Sequence, residues 1–403
     1  MGIGGLSEAR LGRVREVMAG YVERGVVPGV VAAISRRGET HVEAVGAQEF
    51  DGKTPMRRDS IFRISSMSKP ITAAAAMILV EECKLRLDEP VDRLLPELAN
   101  RKVLKRLDGP VDDTVPAQRP ITVRDLLTFR MGFGLLFGTP EQYPILGELD
   151  KLALGQGQPH PAEPPAPDEW MRRFATLPLM HQPGEQWMYN TGADVLSVLI
   201  ARASGQPFET FLRERIFEPL GMKDTGFSVP VEKLDRFTPS YATDFATGGL
   251  RVYDPATGGE WNQPPAFPSG AGGLVSTADD YLAFGQMMLN SGKRGSVRIL
   301  SRPSVELMTT DHLTPEQKAK SGLGPGFFDR QGWGFCMSVV TRRENMTEHV
   351  GQYGWAGGMG TIWDVDPTEQ MTTVLLTARV WDSAEPPAIT QDFLTSAYQA
   401  IDD

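Results

Sequence analysis

The sequence predicts an α/β domain joined to an all-α one: an antiparallel sheet flanked by helices, with a helical insertion. Three observations carry this expectation. Strand-like text sits near both ends of the chain, as GVVAAIS and THVEAVGA early and as QGWGFCMSVV, GGMGTIWDVDP and MTTVLLTA late. The stretch between them is mostly helical with proline-rich joints. A very apolar run, Ser66 to Lys84, separates the two kinds of text. Residues 1–85 and 272–403 are thus expected to build the α/β domain, and residues 86–271 the mostly helical one with loops. The functional site is expected between them.

Element by element, Ser7 is the expected N-cap of a first helix in which Leu11, Val14, Met18 and Tyr21 recur at helical spacing. After Pro28, two runs rich in β-branched residues around the turn RRGE read as a hairpin. The run SMSKPITAAAAMILVEECK is hydrophobic on nearly every side, which predicts a helix buried at the centre of the protein. Pro70 is tolerable only in a first turn, so this helix must start close to Ser66. Cys83, inside the run, reads as a small core residue. Arg101–Arg106 reads as the solvated face of an amphipathic helix. Thr122 is a candidate N-cap for VRDLLTFRM, and the prolines of GQPHPAEPPAPDEW point to a surface loop. Ala193–Phe217 has helical periodicity interrupted near Gly205-Gln206-Pro207, and residues 237–273 read as loops with a short hairpin. Ser276–Asp280 caps the helix YLAFGQMMLN, and AITQDFLTSAYQAI is the last helix.

Composition narrows the function. With 403 residues, 41% hydrophobic and 23% charged, the chain can bury a large core. A formal net charge of -10 without any Lys/Arg stripe argues against nucleic acid and anionic membranes as partners. No apolar run reaches the ~18 residues of a membrane span. The opening MGIGGLSEARLGRVREV lacks the apolar core of a signal peptide, so a cytoplasmic protein is expected. Cys83 and Cys336 are too few and too far apart for a disulfide framework. The five histidines show no metal-ligand spacing, and there is no P-loop, G-x-G-x-x-G or G-x-S-x-G. No metal or organic cofactor is expected.

Three clusters remain that could carry chemistry. In Ser66-Met67-Ser68-Lys69, an S-x-x-K, helical spacing sets the Lys69 amine against the Ser66 hydroxyl. A serine needs a base, and a lysine can serve when burial depresses its pKa. The helix start adds free N–H groups for an oxyanion. Spacing alone fits a helix cap with an exposed lysine equally well. Against that, polar groups on so apolar a helix are costly unless they pair with one another. In Pro183–Gly192 a turn delivers Tyr189 just before a helix, either as a core residue or as a proton shuttle. In Gly351–Thr361 glycines permit close backbone approach at a sheet edge, whether in a plain hairpin or in an acyl pocket.

Taken together and in order, these clusters resemble the serine β-lactamase and penicillin-binding protein superfamily, most closely class C β-lactamases and family VIII carboxylesterases. FRISSMSKPIT is similar to the first motif, PGEQWMYNT to the second and GWAGGMGTIWDVDP to the third. PITVRDLLT, FLRERIFEPLGMKDTGF and PSGAGGLVSTADDY add structural similarity along nearly the whole chain. The resemblance implies a β-lactamase/penicillin-binding-protein-like fold. It implies Ser66 as the acylated nucleophile, Lys69 as its proton acceptor, and Tyr189 as general base or shuttle with a pKa lowered by Lys69. The oxyanion would be held by the N–H groups of Ser66 and Gly358, beside Trp355 and Gly357.

Two departures matter. Thr191 replaces the asparagine of the second motif. Trp355 stands where many lactamases place the lysine that helps hold a substrate carboxylate. Starting the third motif at Gln352 instead also leaves it without a cation. An indole suits an uncharged group better, so a small-molecule carboxylic ester of small to medium acyl size is the expected substrate, with transesterification open. A β-lactamase or an amide or D-amino-acid peptidase on the same scaffold is the alternative. A non-catalytic penicillin-binding-like protein would have no physical need of Ser66, Lys69 and Tyr189 together.

Overall fold

The structure is a computed structural model that describes residues 4–154 and 156–403. Seven strands form one antiparallel sheet: β1 (Gly29–Arg36), β2 (Glu39–Gly46), β3 (Gln331–Trp333), β4 (Ser338–Val340), β5 (Tyr353–Gly357), β6 (Thr361–Asp366) and β7 (Met371–Thr377). Their order in space is β3-β4-β5-β6-β7-β1-β2. The two ends of the chain meet where β1 pairs with β7, Val30 opposite Thr377 and Arg36 opposite Met371.

Both faces of β1 are covered, which is why its text is apolar without alternation. Val30, Ala32 and Ile34 face helices α1 (Glu8–Glu23) and α5 (Ala388–Tyr398), packing with Leu11, Val14, Met18 and Phe393. Val31 and Ala33 face the main core, which includes α2 (Ser68–Glu81) and α4 (Ala278–Leu289). Helix α3 (Thr191–Ser204) packs on α2. From Ser68 to Leu79 every residue of α2 is buried, as its composition predicts. Thr277 caps α4 by accepting the Asp280 N–H, and Thr122 forms a capping box with Asp125 over Val123–Leu127.

The antiparallel sheet with flanking helices is as expected, but several local readings change. Cys83 is exposed, because the chain turns out of α2 there with φ 57. Arg101–Arg106 is not helical: Lys102–Leu104 is a short strand, and Arg101 is buried, donating to the carbonyls of Ala175 at 2.6 Å and Leu177. Those backbone acceptors, not solvent, take the hydrogens of its two terminal nitrogens, while Nε is buried without a partner. QGWGFCMSVV is two strands around a turn, with Cys336 buried at φ 58. GGMGTIWDVDP likewise folds around Gly358–Gly360, between β5 and β6. The Asp168-Glu169-Trp170 end of the proline-rich segment lies in a helix, Pro167–Ala175. The expected hairpin within 237–273 is Ser240–Thr243 with Leu250–Asp254.

That hairpin is tied in by a buried ion pair. Arg63 Nε donates to Asp254 Oδ2 at 2.9 Å, and its guanidinium lies 4.0 Å from the centre of the Phe237 ring. Burial pulls the Arg63 pKa down to about 10, with Asp254 pulling it back up. No helix among the described residues is long and apolar enough to cross a membrane.

Candidate active site

Ser66 stands in a 3-10 turn, Ser65–Met67, that leads directly into α2. The turn is clamped from several sides. Ser68 Oγ donates to the Ser65 carbonyl at 2.7 Å and accepts the Leu274 N–H at 3.2 Å, and Tyr281 Oη donates to the Met67 carbonyl at 2.6 Å. Ser65 is held at φ 45, in the left-handed region. Such a conformation persists in a non-glycine residue only where its surroundings enforce it, and it turns the next side chain out of the core. Ser66 is accordingly half-buried between fully buried neighbours.

One helical turn on, Lys69 is 0% exposed, which is rare for a lysine. Its Nζ donates to Ser66 Oγ at 2.9 Å and to the Ala271 carbonyl at 2.6 Å. Burial pulls the amine down from 10.5 to about 7, against an upward pull from Asp194 and the Cys336 thiol. A large fraction of the amine is therefore neutral near pH 7 and can accept a proton.

Tyr189 is delivered by a segment that residues 129–135 hold in place. Leu135 N–H donates to its carbonyl at 2.7 Å, and Met188 N–H donates to the Phe129 carbonyl at 2.8 Å. Asn190, next in the chain, has φ 86. The tyrosine ring lies 4.6 Å from Lys69 Nζ, measured to its centre, and Trp355 Nε1 donates to its hydroxyl at 2.7 Å. Burial pushes the Tyr189 phenol well above its ordinary value, opposed by hydrogen bonding to Ser66 and Trp355. This corrects the expectation that Lys69 lowers it. The amine sits over the ring face, has its own charge disfavoured by burial, and spends its donors on Ser66 and Ala271. Tyr189 is a neutral phenol here.

The third motif lies on β5. Beyond Gly354 that strand pairs only with β6, Trp355 opposite Trp363 and Gly357 opposite Thr361, and its other side faces the Ser66 turn. A Cβ on Gly357 would stand 2.2 Å from the Ile64 carbonyl oxygen, so glycine is what lets strand and turn approach. Gly358 follows at the cavity wall, with Gln158 Nε2 donating to its carbonyl at 3.3 Å. Of the two possible starts of the motif, Trp355 is the one that touches Tyr189. Gln352 is buried and accepts the His349 N–H.

Ser66, Tyr189, Trp355 and Gly358 all line one cavity of about 1140 Å³, walled by Leu135, Phe137, Trp170, Phe267, Phe327 and Trp381. Among the described residues lining it, Arg330 is the one Lys or Arg, and Glu348 pairs with it at 2.8 Å. The sequence-expected residues are therefore brought together, with Lys69 beneath Ser66 and Gly357 against the turn. Thr191 is buried in α3. Sequence reasoning missed Ala271 and Asp194. PSGAGG read as structural text, yet its Ala271 carbonyl accepts a hydrogen bond from Lys69 Nζ, and Asp194 follows Tyr189 in the first turn of α3, facing the same cavity. No group of three His, Cys, Asp or Glu side chains among the described residues is arranged to hold a metal ion.

Comparison with known proteins identifies the family. The sequence matches the beta-lactamase family over residues 14–394. It is 39% identical over 369 residues to an uncharacterized protein of Mycobacterium tuberculosis (strain CDC 1551 / Oshkosh), covering 90% of this chain and 88% of that one. Esterase EstB of Burkholderia gladioli is 31% identical over 387 residues, covering 91% and 89%. The solved structure of EstCE1, a hydrolase with promiscuous acyltransferase activity, has a TM-score of 0.77 at 26% identity, covering 97% of this chain and 99% of its own. The chain belongs to the beta-lactamase family and is an enzyme of its serine hydrolase and acyl-transfer class.

Proposed function

We propose that the chain is a carboxylesterase that hydrolyses esters of small to medium acyl groups through an acyl-enzyme at Ser66. The observation that carries this reading is the linked floor of the cavity. Lys69 Nζ is 2.9 Å from Ser66 Oγ, and an indole N–H, not an ammonium, donates to Tyr189 Oη at 2.7 Å.

Neutral Lys69 takes the Ser66 proton as Oγ bonds to the ester carbonyl carbon. The carbonyl opens to an oxyanion, stabilised by the N–H groups of Ser66 and Gly358. Collapse expels the alkoxide, which takes the phenolic proton of Tyr189, and the Lys69 ammonium then gives its proton to the tyrosinate, restoring the neutral amine and phenol. Water then repeats the sequence on the acyl-enzyme, with Lys69 and Tyr189 drawing off its proton. A second alcohol in place of water gives transesterification. Trp355 and the aromatic walls favour an uncharged acyl or alcohol group, and the pairing of Arg330 with Glu348 leaves little attraction for a free substrate carboxylate. Similarity to esterase EstB and to EstCE1 supports the same reading.

The test is hydrolysis of p-nitrophenyl butyrate and of a chromogenic cephalosporin by wild type and Ser66→Ala in parallel. Ester turnover lost in the variant, with little lactam turnover in wild type, is the expected result. Dominant lactam turnover would move the substrate class to β-lactams, and ester turnover surviving in Ser66→Ala would place the nucleophile elsewhere.

A further inference from the structure

Asp194 stands in the first turn of α3, half-buried at the cavity wall. Ser269 Oγ donates to its Oδ1 at 2.6 Å. The same hydroxyl oxygen accepts the N–H groups of Ala271 and Gly272, each at 3.2 Å. The Ala271 carbonyl in turn accepts from Lys69 Nζ at 2.6 Å. One short turn, 269–272, therefore joins the Asp194 carboxylate to the Lys69 amine. That turn is wedged between α2 and α3: a Cβ on Gly270 would lie 2.8 Å from both the Ala193 carbonyl and Thr72 Oγ1, and Gly270 N–H donates to Ser197 Oγ at 3.1 Å. It cannot drift without moving both helices.

The groups that face Lys69 are few. Ser66 lies in the turn just before α2, the Tyr189 ring covers one side, Cys336 approaches from the turn before β4, and Asp194 comes from α3. Burial pushes the Cys336 thiol far up and keeps it neutral, so Asp194 is the group able to carry a negative charge there. Asp194 itself faces Lys69, the Ser269 hydroxyl and the Ala271 N–H; burial raises its pKa and these three partners lower it.

We propose that Asp194 is a positioning residue for acyl transfer: through the Ser269–Ala271 turn it aims the Lys69 amine at Ser66, and its carboxylate is the counter-charge for the ammonium formed when Ser66 loses its proton. This rests on the carboxylesterase reading. In the step concerned the Ser66 O–H bond breaks, an N–H bond forms on Lys69 and the Oγ–C bond forms to the acyl carbon. Asp194 exchanges no atom. Its charge offsets the new ammonium, which the full burial of Lys69 keeps from solvent.

Asp194→Asn keeps an oxygen for Ser269 and removes only the charge. In that variant kcat/KM for p-nitrophenyl butyrate on its alkaline plateau should fall about tenfold, and the acidic limb of the profile should move down by about one pH unit, because the amine loses the charge that helps it keep its proton. Asp194→Glu retains the charge and should keep the limb of wild type, as should Ser269→Ala, which loosens the turn and lowers kcat. A merely structural aspartate would lower rates without moving the limb. An unmoved limb or an undiminished plateau in Asp194→Asn, or a limb displaced downward in Asp194→Glu, overturns the proposal. Mass spectrometry of the acylated wild type separates this from the broader reading: a butyryl group on Ser66 with an unmoved limb defeats only the role of Asp194.

Discussion

Replacing Lys69 by methionine should abolish turnover and, at neutral pH, make the fold more stable. The amine is fully buried, and burial brings it from 10.5 down to about 7. The unfolded chain binds a proton below about pH 10.5 that the folded chain accepts only below about 7, so Lys69 weakens the fold across that window and weakens it most at and below pH 7. The gap is 10.5 − 7 = 3.5 pH units. At about 1.4 kcal/mol per unit, it costs about 4–5 kcal/mol. Methionine has no charge to bury but leaves the Ala271 carbonyl without its donor, a loss of about 1–3 kcal/mol. The variant should therefore gain about 2 kcal/mol at pH 7. The gain should shrink as pH rises and reverse near pH 10, where the cost of burying the amine has fallen to about 1 kcal/mol. Urea unfolding followed by tryptophan fluorescence at pH 6, 7, 8.5 and 10 measures it. The difference between variant and wild type should be nearly level from pH 6 to 7 and change sign by pH 10. A difference that stays constant from pH 7 to 10 would mean that Lys69 keeps an ordinary pKa, and the argument for its role as base would fail.

The other predictions concern rate. Because the neutral amine is the base, kcat/KM for p-nitrophenyl butyrate should rise with pH through about 7; a profile level from pH 5 to 9 contradicts this. Gly357→Ala puts a methyl 2.2 Å from the Ile64 oxygen and 2.4 Å from Thr361 Oγ1, forcing β5 away from the Ser66 turn. Steady-state turnover should drop about 100-fold, as misplacement by an ångström does elsewhere, and an unimpaired variant would show that the strand does not serve the reaction. Trp355→Phe keeps a ring against Tyr189 but removes the 2.7 Å donor. A kcat lower by about tenfold with KM little changed is expected, whereas a change in KM alone would make Trp355 a binding wall only.

How much of this was legible beforehand follows from which interactions are local. The helix at Ser66 could be read because alanines, aliphatics and Pro70 state its burial and its start within a single turn. Thr122, and the stretch Ser276–Asp280 in which Thr277 is the cap, could be read because each cap accepts an N–H three residues on. Helical spacing allowed the Ser66–Lys69 pairing and the apolar setting of the helix favoured it, while the Tyr189 and Trp355 motifs followed from their resemblance to relatives. Interactions between distant segments could not be read. Arg101 looked like a solvent-facing cation because its carbonyl partners lie near residue 175. The raised Tyr189 pKa depends on burial and on where the Lys69 amine points, neither of which a motif encodes. Asp194 and Ala271 become relevant only once α3 and the 269–272 turn converge on Lys69. The turns within QGWGFCMSVV and GGMGTIWDVDP were hidden because glycine within a strand-like run signals a bend no more clearly than it signals close packing.

The most direct test is to quench the enzyme during turnover of p-nitrophenyl butyrate and to locate any added mass by peptide mass spectrometry. One butyryl group on the peptide containing Ser66, absent from Ser66→Ala, is the predicted result. An adduct on another residue, or full turnover by Ser66→Ala, would contradict the account at its centre.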